Sequence, residues 1–191
     1  MATSQAITDF QLSCQQYFIC YFFAATGIWD HGKKLASNSP NHDAQFFLGT
    51  GHPNEGHLHA AMKIREAIDS SQPNGAFADK IAKSFIVAIY SEWDEVYRHR
   101  LAAEASANSK LVRCDLMGDL RLIRHCIVHN KSMITDEHKK LKELKWQLSP
   151  GVLKITKDMF SLLVDQINAM IVRVEPDSSP NTALEPTPTA P

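Results

Sequence analysis

The segment DLMGDLRLIRHCIVHN, residues 115–130, sets the expected fold. At about 100° per residue, Leu116, Leu120, Ile123 and Ile127 fall within one narrow sector, so the segment predicts a helix that packs its apolar side into a bundle. Arg121, Arg124, His125 and His129 take the opposite side, with His125 and His129 one turn apart. Asn130, Lys131 and Ser132 end the helix and leave His129 at its C-terminus, where the helix dipole favours a positive charge.

Working outward, the same spacing of three and four recurs along the chain. A first helix is expected over Asp9–Lys34, rich in aromatics (Phe10, Tyr17, Phe18, Tyr21, Phe22) and weakened near its end by Gly27 and Gly32. Residues 37–55 are dense in Pro, Gly, Asn and Asp and predict a loop. A second helix is expected over Gly56–Ser70, and a third, central one over Phe77–Ala105, whose stripe includes Phe85, Ile89, Trp93, Val96 and Tyr97. The fourth, Leu111–Asn130, carries the opening segment. TDEHKKLKELKW, residues 135–146, has the composition of a short surface helix. In a last helix, Thr156 is the expected N-cap, with Met159, Phe160, Leu163, Ile167 and Met170 facing inward. No repeat and no sustained alternation of period two is visible, so the expected fold class is all-α, an up-and-down bundle of four to five helices. One domain is expected over residues 1–175, followed by a disordered Pro/Ser/Thr-rich tail, 176–191.

The 191 residues carry 20 Lys+Arg against 21 Asp+Glu, so bulk charge announces neither a nucleic-acid nor a membrane partner and any basic site must be local. Cys14, Cys20, Cys114 and Cys126 form no CxxC and read as small hydrophobes of a reduced protein. The start MATSQAITDF lacks the marks of a secretory signal, and YFICYFFAA is too short to cross a bilayer. A cytoplasmic protein without a membrane partner is expected. The wording of the tail resembles the read-through of integron cassette recombination sites, a hint of mobile-element origin. No P-loop, dinucleotide fingerprint or nucleophile elbow occurs. His57-x-His59 and His125-x3-His129 lack a completing ligand set, so neither a metal nor a cofactor is expected.

An arginine beside an imidazole suits phosphodiester chemistry: the guanidinium offers planar donors to phosphate oxygens and the imidazole transfers protons. In RNA the 2′-hydroxyl is a built-in nucleophile, yet two proton-transfer groups are needed and one helix supplies only half the set. On spacing alone the face reads equally as a solvated basic surface. Tyr97, Arg98 and Arg100 on the third helix could reach the same cleft or serve packing and surface charge. Glu92, Asp94 and Glu95 read as partners for basic neighbours, and HKKLKELK (138–145) as a basic run that contacts RNA phosphates or is simply solvated.

Arg124-His125-Cys126-Ile127-Val128-His129 resembles the R-x4-H signature of the HEPN superfamily, including a polar residue directly after the arginine and an asparagine after the histidine. GDLRLIRHCIVHN followed by KITKDMFSLLVDQINAM matches the order of its last two helices, and IYSEWDEVYRHRLA resembles stand-alone members found on mobile elements. The resemblance spans about Phe77 to Val172. It implies a HEPN-like bundle that dimerises with two such helices facing each other, and a metal-independent endoribonuclease that leaves a 2′,3′-cyclic phosphate. Carried over, Arg124 binds and stabilises the phosphate, His129 is the acid/base and His125 orients them, with Arg121, Asn130 and Lys131 as RNA contacts. The expected partners are RNA, a second copy of the chain and a nucleotidyltransferase-like antitoxin, in a toxin or defence role. The resemblance equally covers non-catalytic modules that bind RNA, nucleotide or protein. A third reading is a structural helical dimer with an aromatic-rich interface through the first helix.

Overall fold

The fold is built around a long first helix, α1 (Gln5–Asn38), which the computed structural model describes together with the rest of residues 4–51, 56–136 and 140–176. Ser4 caps α1 by accepting the Ile7 amide. The helix runs past both glycines that were expected to weaken it. Gly32 is buried because a Cβ there would sit 2.5 Å from Ser71 Cβ, so this glycine lets the following turn approach closely.

After α1 come β1 (Gln45–Thr50), β2 (His57–Lys63) and α2 (Ile64–Ser70). The two strands pair antiparallel from Gln45↔Lys63 to Thr50↔His57, with a register shift between Leu48 and Gly49. This hairpin corrects two expectations: residues 45–50 are strand rather than loop, and 57–63 are strand rather than the start of a helix. Phe47, Leu48 and Leu58 are exposed, so neither face is covered and no inward-outward alternation marks the strands. Residues 52–55, part of the expected loop, lie outside the described residues.

The central helix is α3 (Ala76–Glu92), followed by a π turn (Trp93–Tyr97) and α4 (Arg98–Glu104). An unbroken helix was expected. The π turn inserts one residue, a slip of about 100°, and its effect is visible in the core. In a regular helix Leu101, eight positions after Trp93, would lie about 80° round from it; with the extra residue both are buried on one side. Val96, expected in the stripe, is 46% exposed as a result.

A short 3₁₀ turn (Ser109–Leu111) and β3 (Val112–Arg113) precede α5 (Asp115–His129), so the helix begins four residues later than expected. Then come β4 (Met133–Ile134), β5 (Gly151–Val152), α6 (Lys157–Asn168) and β6 (Arg173–Val174). β3 pairs with β6 and β4 with β5, both antiparallel. The chain is thus mostly helical, with three two-stranded sheets among the described residues. Thr156 caps α6 as expected, through the Met159 amide. The expected surface helix at 135–146 is absent among its described residues. From Lys140 the backbone is irregular and bends at Lys142 and Glu143, where the buried Asp119 carboxylate (2% exposed) accepts the amides of Lys142, Glu143 and Leu144 at 2.7–2.8 Å, while Leu144 and Trp146 are buried. Residues 137–139 and the tail beyond Pro176 lie outside the described residues.

α1 packs on α3 and α6, and α3 packs on α5. The core holds Phe10, Tyr21, Ile86, Ile89, Leu120, Ile123, Phe160, Leu163 and Ile167. Phe10 packs on Trp93 and Tyr97, and Tyr21 on Phe160, with centroids 5.1–5.4 Å apart. No helix among the described residues is long and apolar enough to cross a membrane.

Between α1 and α3, Glu92 accepts the Tyr17 hydroxyl (2.6 Å) and the Ser13 hydroxyl (2.7 Å). The bond to Glu92, then burial, push the Tyr17 phenol up to about 12. Burial, with the Glu92 charge adding to it, pushes the Cys14 thiol up as well. Both groups ionise more readily in the unfolded chain. Their contribution to stability is therefore complete below the ordinary cysteine value of about 8.5 and is lost as pH rises through the folded values. Urea midpoints measured from pH 7 to 11 are expected to hold level to about pH 8 and then fall, and Cys14→Ala to flatten the first part of the fall. A midpoint that rises above pH 9 contradicts this account.

Candidate active site

The face of α5 opposite the core lies as its sequence pattern requires. Leu116, Leu120, Ile123 and Cys126 are buried, Arg121, His125 and His129 are exposed, and Arg124 is half-buried. Arg124 Nη1 lies 3.2 Å from His129 Nε2. A guanidinium has donors only, so a hydrogen bond in this contact requires Nε2 to accept. His125 packs between them in sequence and stacks toward His129 with centroids 5.0 Å apart.

The helix ends abruptly after His129. The amides of Asn130 and Ser132 both donate to the Cys126 carbonyl (3.3 and 2.9 Å), and the Cys126 thiol donates to the Met133 carbonyl. Lys131 and Ser132 are both left-handed, φ 50° and 62°, a conformation that non-glycine residues adopt at a cost of about 1–2 kcal/mol each. Leu153 holds this exit by donating its amide to the Ser132 carbonyl at 2.7 Å.

Between α3 with its π turn and α5 lies a cleft of about 450 Å³ lined by Tyr90, Ser91, Asp94, Glu95, Arg121, Leu122, Arg124 and His125. Arg124, His125 and Arg121 therefore converge as the sequence suggested. His129 joins the cleft through Arg124, while Asn130 and Lys131 stand at the helix exit and do not line it. Arg98 pairs with Asp94 at 2.9 Å. Tyr97 and Arg100 turn the other way: Tyr97 packs on Phe10, and Arg100 binds Asp9 at 2.6 Å.

The cleft is electrostatically divided. Arg121 and Arg124 form its α5 wall, and among the described residues no carboxylate pairs with either. Asp94 and Glu95 form the facing wall. Burial raises the Tyr90 phenol and Asp94 adds to it, while Arg121, Arg98 and Arg124 act in the opposite direction. The Nε atoms of Arg98 and Arg124 are buried without an acceptor. Left without an acceptor, each such donor costs about 1–3 kcal/mol, which a water or ligand oxygen in the cleft would relieve. Tyr90, Ser91, Asp94, Glu95 and Leu122 are the cleft residues the sequence reading left out; the signal for the two carboxylates was the acidic stretch 92–95 opposite a basic helix, visible only once α3 and α5 are known to pack.

Among the described residues no three His, Cys, Asp or Glu side chains gather in a way that could hold a metal ion. His57 and His59 meet edge to face, ring centroids 5.1 Å apart, on the exposed hairpin. Comparison with protein-family models, curated proteins and solved structures finds no match for this chain.

Proposed function

We propose that the chain is a HEPN-type, metal-independent endoribonuclease that acts as a homodimer, with its α5 faces apposed in a HEPN-like bundle. The observation that carries this reading is the 3.2 Å contact between Arg124 and His129 on an exposed face. A neutral Nε2 is the form that can take the 2′-hydroxyl proton. The O2′–P bond then forms as the P–O5′ bond breaks, and the protonated His129 of the partner subunit gives its proton to O5′. The products are a 2′,3′-cyclic phosphate and a 5′-hydroxyl. Arg124 stabilises the non-bridging oxygens as charge builds on them, with Arg121 extending the phosphate contact and His125 orienting the pair. A cytoplasmic toxin or defence role, and control by a nucleotidyltransferase-like antitoxin, belong to the same proposal.

The test is incubation of purified protein with total RNA, with and without EDTA. Cleavage is expected to be undiminished by chelation and to yield cyclic phosphate ends. Loss of cleavage in EDTA sinks the metal-independent mechanism, and intact RNA under all conditions sinks the nuclease reading in favour of a binding module.

A further inference from the structure

A cleft made only to hold phosphate would be basic throughout, yet half of this one is acidic. Asp94 is engaged by Arg98, but Glu95, one residue on, has no cation within ion-pair distance among the described residues. It is exposed and lines the cleft opposite Arg121 and Arg124, and Tyr90 lines the same cleft. Asp94 and Glu95 lie in the π turn, one turn on from Tyr90 and Ser91, which line the same cleft.

Resting on the reading of the chain as a ribonuclease, we propose that this acidic wall selects the base beside the scissile phosphate, and that the base is guanine, read by Glu95. A carboxylate presents two acceptor oxygens side by side and no donor. Guanine alone among the four bases offers two adjacent donors, N1–H and N2–H₂, on its Watson–Crick edge, so the two groups pair through parallel hydrogen bonds. Adenine and cytosine each set a ring acceptor beside their single amino group, and uracil flanks its one N–H with two carbonyls that a carboxylate repels. Single-stranded RNA presents this edge for reading, and splayed bases stack on aromatic rings such as Tyr90. The cleft volume falls within the range of small-ligand sites. The arginines carry the phosphate, Tyr90 the base plane and Glu95 the base identity.

The experiment is fluorescence anisotropy with 2′-O-methylated decamers, which cannot be cleaved, carrying at one central position guanine, adenine or inosine, the last lacking only the N2 amino group. The wild type is expected to bind the guanine oligomer about tenfold or more tighter than the other two. Glu95→Gln, which replaces one acceptor with a donor at an exposed position, is expected to bring all three within about twofold while keeping the salt dependence that the arginines supply. Salt-dependent binding with no preference for guanine, or a preference that survives Glu95→Gln, overturns base selection by Glu95 and leaves the ribonuclease reading standing. Absence of binding to every oligomer overturns both.

Discussion

His129→Ala is expected to lower RNA cleavage by about 10²–10⁴-fold, the usual contribution of a general acid or base, while the melting temperature moves by no more than about 2 °C. The small thermal effect follows from position: His129 is exposed at the last turn of α5, and the turn that leaves the helix is held by backbone bonds from Asn130, Ser132 and Leu153, not by the imidazole. Arg124→Ala is expected to cost about 10²–10³-fold, as removal of a preorganised donor to a developing oxyanion does. Arg124→Lys should recover little, because an ammonium lacks the planar fork that can hold Nε2 and a phosphate oxygen together. The double variant should be barely worse than His129→Ala, since the two act as a unit. Single-turnover rates on a defined RNA measure all four. Full activity in His129→Ala would remove the histidine from the mechanism.

The largest stability effect is expected at Asp119. Its carboxylate holds three consecutive amides, and Asp119→Ala strands all three while loosening buried Leu144 and Trp146. A loss of roughly 3–5 kcal/mol is expected. That is toward the low end of what three orphaned donors would sum to, because the backbone at Lys142 and Glu143 can rehydrate. Urea unfolding followed by tryptophan fluorescence measures it, and a loss below about 1 kcal/mol would show that the 140–146 segment is held by other means. Activity should follow stability here, as Asp119 faces away from the cleft.

The two faces of α5 were legible in its residues because one side is buried against a neighbour and the other is wet, the condition that imprints a period of 3.6. The same holds for α6 and its Thr156 cap. The hairpin left no imprint because both its faces are exposed, so the Leu58, Met62 and Ile68 spacing read as helical. The irregular course of Lys140–Trp146 depends on Asp119, more than twenty positions earlier, a partner no local window includes. The π turn was hidden by its own tolerance: Trp93, Val96 and Tyr97 satisfy a three-four rhythm whether or not a residue is inserted. Of the candidate site, the basic half could be read from one helix, whereas Tyr90, Asp94 and Glu95 join it only through the packing of α3 on α5.

That wide turn also makes fold and selectivity separable in an unusual way. Excising Glu95, the residue between Asp94 and Val96, would let the backbone relax into ordinary helix, with Leu101 now seven places after Trp93 and so still keyed into the interior. The shortened chain keeps its architecture while losing the carboxylate proposed to read the base. On the proposed reading, discrimination between bases is thus gained or lost by a single in-frame codon, with the scaffold indifferent to the change.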